Sequence, residues 1–183
     1  MRSIVAAFIL ALAAAPAWAN APSPYAGQHH RPIKALSAEE IDDLRQGRGM
    51  GMAKAAELNS YPGPLHALQL RNELKLTLPQ IKRIQILSEK MTREAKALGE
   101  AILQREAALD LLFRDGKASP AAVENATAEI GALQGRLRAV HLLTHLEMKA
   151  LLEAEQVAAY DRLRGYAEAS DAKPGGGHGG HKH

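Results

Sequence analysis

Apolar residues recur at steps of three and four along two long stretches of the chain, which is the spacing of a helix with one apolar face. The first stretch runs from Pro79 to Arg114 and the second from Pro120 to about Leu152. Thr77 and Ser119 stand just before these stretches as N-cap residues. Because Asp115-Gly116-Lys117 is a turn sequence, we predict that the two helices form an antiparallel hairpin. The apolar positions of the two helices are Ile84, Leu87, Met91, Ala95, Leu98, Ile102, Leu109 and Leu112, followed by Val123, Ile130, Leu133, Leu137, Val140 and Met148.

Shorter helices are predicted on either side of this hairpin. Ser37-Ala-Glu-Glu40 is a capping-box sequence, and it predicts a helix that ends near Gln46. Further helical segments are expected over residues 52–58 and 65–75, and a last one follows a weak turn at residues 153–156. These patterns predict an all-α fold, with one helical domain over residues 37–167.

The two ends of the chain have compositions that do not predict a packed core. Residues 1–19 combine Arg2, an apolar stretch and Ala17-Trp18-Ala19, which is typical of a signal peptide cleaved after Ala19. The apolar stretch is shorter than the roughly 20 residues that cross a bilayer, so we expect export to the periplasm without membrane insertion. Residues 20–36 are predicted to form a flexible arm. Residues 168–183 are rich in glycine and histidine and are predicted to be a disordered tail.

Composition narrows the classes of function. There is no cysteine, so stability must come from packing, oligomerisation or a bound ligand. A net charge of +3 at pH 7 and an aromatic content of 4% give neither the basic surface nor the stacking platform of a nucleic-acid-binding protein. A thin helical hairpin leaves apolar surface uncovered, so we expect a homodimer.

Histidines in the helical body are the main candidates for chemistry. His141 and His145 lie one helical turn apart, and the heptad phase places both on the apolar stripe of the second long helix. Two neighbouring imidazoles that face a core need a reason to be there, and a shared transition-metal ion would supply one. The alternative is that each histidine is half-buried and hydrogen-bonded to a neighbouring carboxylate or hydroxyl.

The hairpin register suggests further ligands from other helices. A turn centred near residue 117 sets His141 opposite Glu94, and the next reversal of the chain brings His66 within about one turn of Glu94. Met91 is a possible soft ligand beside them. His66, Glu94, His141 and His145 therefore form the predicted metal site, with zinc favoured and nickel, cobalt or copper as alternatives.

Other candidate features are weaker. The tail residues His178, His181 and His183 are separated by glycines and could chelate a metal ion loosely as a secondary site. His29 and His30 have no such context, and Met50 and Met52 are interpreted as packing residues. The chain has no zinc-protease motif, catalytic triad or phosphate-binding loop, so we expect that it is not an enzyme.

These residues together resemble the periplasmic heavy-metal sensor group of the Spy/CpxP superfamily, which includes zinc-resistance-associated and nickel–cobalt-sensing proteins. Its hallmark is a Leu-Thr-x-x-Gln repeat. Leu76-Thr77-Leu78-Pro79-Gln80 matches this motif, and Leu152-Glu153-Ala154-Glu155-Gln156 is a second copy without the threonine. Tyr61-Pro-Gly-Pro-Leu-His66 and the helix that carries His141 and His145 are similar to the heavy-metal sensor branch. The resemblance covers residues 37–167.

The resemblance implies a four-helix hooked protomer, a cradle-like dimer and a role in periplasmic stress or metal response. It places His66, Glu94 and His141 at positions that correspond to ligands of the nickel–cobalt-sensing members, with His145 where a methionine is expected. Two functions follow from it. One is a metal sensor or buffer that acts on a membrane-bound signalling partner, and the other is an ATP-independent chaperone that holds unfolded periplasmic proteins.

Overall fold

The computed structural model of this protein describes residues 22–166. Every regular element in this range is helical, so the predicted all-α class is confirmed. Within the same range no helix combines the length and the apolar composition that crossing a bilayer requires. The predictions for the signal peptide and for the tail histidines His178, His181 and His183 concern residues outside the described range. The α-helices are α1 (Ala38–Gln46), α2 (Lys54–Glu57), α3 (Pro64–Gln69), α4 (Leu78–Arg114), α5 (Pro120–Leu151) and α6 (Ala154–Arg164).

Capping residues set the starts of the helices. The Ser37 hydroxyl accepts a hydrogen bond from the Glu40 amide at 3.1 Å, and the Glu40 carboxylate accepts one from the Ser37 amide at 2.8 Å. Thr77 and Gln80 form the same reciprocal pair at the start of α4. Each pair satisfies amides that the first turn of a helix leaves unbonded.

Helix α3 is shorter than the sequence pattern predicts, because it ends at Gln69 and not at Lys75. The chain then reverses in turns. The Leu76 amide donates to the Arg71 carbonyl at 2.9 Å, and Lys75 takes a positive φ of 50°. This reversal buries both Leu74 and Leu76, so a tertiary contact replaces the last turns of the helix.

Helices α4 and α5 run antiparallel and pack along their length. Ion pairs cross between them at two levels, Lys90 with Glu147 at 3.8 Å and Arg105 with Glu129 at 3.2 Å. Helix α1 crosses α4 at Gly99. A Cβ on Gly99 would overlap the backbone carbonyl of Leu44, so only glycine permits this close approach.

The buried apolar residues form two separate clusters along the hairpin. The first joins α1 to the middle of α4 and α5, and the second joins α3 and α6 to the start of α4 and the end of α5. The first cluster contains Ile33, Ile41, Leu44, Ala95, Leu98, Ile102, Leu103 and Leu137. The second contains Ala67, Leu74, Leu76, Ile84, Leu87, Met148 and Tyr160.

The two glutamines of the repeated motif connect the starts of α4 and α6 by hydrogen bonds. Gln80 donates to the side-chain oxygen of Gln156 at 2.8 Å, and Gln156 donates back to Gln80 at 3.2 Å. Each glutamine also accepts from the amide three residues before it, Thr77 at 2.9 Å and Glu153 at 3.0 Å. The motif therefore fixes the start of α6 against the start of α4.

Part of the segment predicted as a flexible arm packs on the helices. Ile33 is buried in the first cluster, and Lys34 forms an ion pair of 2.9 Å with Asp110 near the end of α4. The residues just before α1 are therefore tied to the far end of the hairpin.

Candidate functional site

The buried stripe of α5 becomes polar where it passes from one apolar cluster to the other. Leu137 belongs to the first cluster and Met148 to the second. Between them His141, Thr144 and His145 are all buried. Thr144 satisfies its hydroxyl within the helix by donating to the Val140 carbonyl at 2.8 Å. The two histidines therefore need hydrogen-bond partners from other parts of the fold.

A cavity of about 570 Å³ opens beside these two rings. Its walls come from the segment that links α1 to α3, from α4 and α5, and from the end of α6. His66 on α3 lines the same cavity as His141 and His145. Three of the predicted ligand residues therefore meet at one place, brought there from two helices.

Glu57, at the end of α2, is the acidic residue of this cavity. Its Oε1 accepts hydrogen bonds from the hydroxyls of Tyr160 at 2.5 Å and Tyr166 at 3.2 Å, and Arg164 Nε lies 3.6 Å away. The side chain of Glu57 is 13% exposed, so these donors stabilise a carboxylate that is largely shielded from water. Burial, followed by the hydrogen bond to Glu57, raises the pKa of Tyr160 well above its ordinary value, so its hydroxyl stays a donor.

His145 is held by its Nδ1 atom. That nitrogen lies 2.7 Å from the Tyr61 carbonyl and 3.6 Å from Glu57 Oε2. Because a carbonyl oxygen only accepts, Nδ1 carries the proton, and in the neutral form of the ring the lone pair is on Nε2. Gly63 packs beneath the ring, where an added Cβ would lie 3.3 Å from Nε2.

His66 is held in a similar way but less tightly. Its Nδ1 lies 3.5 Å from Glu57 Oε1, and its side chain is 36% exposed. Glu57 therefore contacts the Nδ1 atoms of two histidines. This arrangement is typical of metal-binding histidines, whose second nitrogen faces a carboxylate or a backbone carbonyl.

His141 has the least usual environment of the three. Its Nε2 is buried and has no hydrogen-bond partner among the described residues. Burial, followed by the charge that His145 would carry, lowers the pKa of His141 below 6.5. At neutral pH the ring is therefore uncharged and can use a nitrogen lone pair as a ligand.

Glu94, the predicted carboxylate ligand, lies outside this cavity. It is exposed on α4 and lines a separate groove with Leu98, Val140 and Leu143. The predicted hairpin register is close, because Glu94 does lie beside the stretch of α5 that carries His141. Glu57, and not Glu94, is the carboxylate that lines the cavity with the histidines.

The donor types fit a transition metal, although their present positions do not form a finished site. Imidazole nitrogens suit zinc, copper and nickel, and the partnerless Nε2 of His141 is the atom that such an ion would satisfy. Within residues 22–166, however, no group of three or more His, Cys, Asp or Glu side chains is arranged so that it could hold a metal ion. Metal binding at this cavity would thus require side-chain movement.

Comparison with family models, with curated proteins and with solved structures gave no match to this chain. The likeness to the Spy/CpxP superfamily therefore still depends on the residues given above.

Proposed function

We propose that this protein binds a transition-metal ion in the periplasm, as a sensor or resistance protein of the heavy-metal type. His66, His141 and His145 would hold the ion. The observation that supports this most strongly is the buried, partnerless Nε2 of His141, whose ring lines one cavity together with two further histidines. The Nδ1 contacts of those two histidines leave their Nε2 atoms for a ligand.

Glu57 would act as the residue that orients the rings, whereas Glu94, the carboxylate ligand predicted from the sequence, lines a separate groove. Its oxygens contact Nδ1 of both His66 and His145, and two tyrosine hydroxyls hold it in place. When bound, the ion would supply a positive charge, and its ligands from α3 and α5 would link these two helices. His66 is the exposed ring of the three, and it has the room to turn toward His141 and His145.

A signalling role follows because the ion would link the short helix α3 to the long helix α5. His66 lies on the short helix α3, which the glycine and prolines of residues 62–64 connect to α2. Drawing α3 toward α5 would change the surface presented to a membrane-bound signalling partner. We extend the proposal to the four-helix hooked protomer and cradle-like homodimer that the resemblance implies, and to a binding function without catalysis.

Thermal unfolding with and without metal tests this proposal. The protein should be the full chain in which His178, His181 and His183 are replaced by alanine, so that the tail cannot contribute. An ion that binds only the native state stabilises it by about 2.7 kcal/mol at a hundredfold excess over Kd. Zinc, nickel, cobalt and copper salts should be compared, with zinc as the first choice.

The variants separate the cavity from other histidines. His66→Ala and His145→Ala should each remove most of the metal-dependent rise in melting temperature, whereas His29→Ala should leave it intact. The rise should also fade below about pH 6, because protonated imidazole cannot coordinate. If none of the four metals raises the melting temperature, the proposed metal site is wrong.

A second function, an ATP-independent chaperone, is favoured by one observation. Large apolar side chains are exposed along the long helices and α6, where they could contact unfolded chains. These residues are Ile86, Leu111, Phe113, Leu143, Leu146 and Leu163. A chaperone should suppress the aggregation of an unfolding client without added metal. Loss of that suppression on replacing Leu143 and Leu146 by serine would support this function, and an inactive wild-type protein would exclude it.

A further inference from the structure

Two methionines lie in the histidine cavity. Met91, half-buried on α4, and Met50, between α1 and α2, both line the cavity that contains His66, His141 and His145. Met52 is only two residues from Met50, but it packs against the first apolar cluster and lines a different groove. The cavity therefore offers thioether sulfur as well as imidazole nitrogen.

The backbone around Met50 is held in an uncommon conformation. Met50 has a positive φ of 44°, which is unusual for a residue with a side chain. The turn passes over His141, because a Cβ on the preceding Gly49 would lie 4.0 Å from His141 Nδ1. Strained residues of this kind persist where the fold holds them, and they are concentrated at ligand sites. Despite its apolar side chain, Met50 is 38% exposed at the rim of the cavity.

One oxygen of the cavity's carboxylate, Glu57, already has hydrogen-bond partners. Oε1 of Glu57 accepts from Tyr160 and Tyr166. Its Oε2 faces Nδ1 of His145 at 3.6 Å. An incoming ion would have to break the two tyrosine hydrogen bonds to bind the carboxylate through Oε1. Besides Oε2, the cavity offers imidazoles and thioethers, which are soft or borderline ligands.

We infer that the cavity is selective for monovalent copper, Cu(I), with Met91 and Met50 as thioether ligands beside the histidines. This inference rests on the proposed metal-binding function and names its metal. Methionine and cysteine sulfur select Cu(I), whereas zinc sites use imidazole, thiolate and carboxylate. The methionines also add donors to a cavity in which His, Asp and Glu alone form no ion-holding group among the described residues.

Competition for Cu(I) with a chromophoric chelator tests the inference. The titration uses the full chain with His178, His181 and His183 replaced by alanine, under anaerobic conditions with ascorbate. Met91→Leu and Met50→Leu should each weaken Cu(I) binding at least about tenfold, a difference of about 1.4 kcal/mol in binding free energy. Met52→Leu is the matched control and should bind as the parent does. Circular dichroism confirms that each variant is folded, since leucine nearly conserves the volume of methionine.

Zinc titrations of the same variants separate this inference from the function on which it rests. Zinc affinity should be weaker than Cu(I) affinity and should not change in Met91→Leu or Met50→Leu. If Cu(I) binds equally well to the parent and to both variants, the thioether ligands are wrong and the histidine site stands. If zinc binds at the histidines and Cu(I) does not, the selectivity is wrong. If neither ion binds, and nickel and cobalt do not raise the melting temperature either, the proposed function fails as well.

Discussion

Removing the hydroxyl of Tyr160 is the sharpest test of how the cavity is held. Tyr160 is fully buried, and its hydroxyl donates to Glu57 at 2.5 Å while accepting from the Gly63 amide at 3.2 Å. Tyr160→Phe keeps the ring in the second apolar cluster and deletes both bonds. The substitution therefore measures the hydrogen bonds and leaves the apolar packing of the ring in place.

The expected loss of stability follows from the two partners left behind. A hydrogen bond to a charged group contributes about 1.5–3 kcal/mol, and a buried amide without a partner costs about 1–3 kcal/mol. Glu57 keeps Tyr166 as a donor, so we expect a total near the lower half of the combined range, about 3 kcal/mol. For a chain of 183 residues this corresponds to a melting temperature lower by roughly 6–12 °C.

Chemical and thermal denaturation of metal-free protein measure this loss, with two control variants. Tyr166→Phe deletes a longer bond of 3.2 Å to the same oxygen and a 3.1 Å bond accepted from Arg164. Since Arg164 is partly exposed and can bond to water instead, this variant should cost about 1 kcal/mol. Tyr25→Phe removes an exposed hydroxyl and should have no effect. If Tyr160→Phe is as stable as the parent, or if Tyr166→Phe costs as much as Tyr160→Phe, the hydrogen-bonding account of Glu57 is wrong.

The remaining predictions concern the helix crossing and the pH dependence. Gly99→Ala should destabilise the protein by roughly 1–3 kcal/mol, since the new methyl group meets the rigid Leu44 carbonyl; unchanged stability in urea would contradict the close crossing. The metal-free protein should lose stability as pH falls below 6.5, because the lowered pKa of His141 lets the unfolded chain bind a proton that the folded protein excludes. His145, Glu57 and Arg164 also line the cavity, so a variant must isolate the contribution of His141. In His141→Gln the midpoint of urea unfolding should depend less on pH between 6.5 and the lower pKa that His141 has in the folded protein.

Local signals explain why the long helices could be predicted from sequence. Thr77 and Ser119 mark the starts of α4 and α5, and Gly116 lies in the turn between them. Periodicity placed His141 and His145 on the buried stripe, which the structure confirms. These features depend on residues within a turn or two of each other, so a single sequence contains them.

The carboxylate of the cavity could not be found in this way. A helical wheel gives α4 two flanks, and it does not tell which flank α2 and α3 cover. Glu94 is therefore the carboxylate that the hairpin register selects, although it lies in a different groove. Glu57 lies at the end of the four-residue helix α2 and meets Tyr160, which is 103 residues further along the chain. A fully buried tyrosine hydroxyl needs a partner, but the sequence does not say which one.

We propose that one metal ion binds between His66, His141 and His145. The most direct measurement is anomalous X-ray scattering from crystals of the tail-substituted full chain grown with copper under reducing conditions, with data collected at the copper edge. We expect one strong anomalous peak in the cavity, within bonding distance of imidazole nitrogens of these histidines and of the sulfur of Met91. A map with no peak in the cavity, from protein that binds copper elsewhere, would rule this site out.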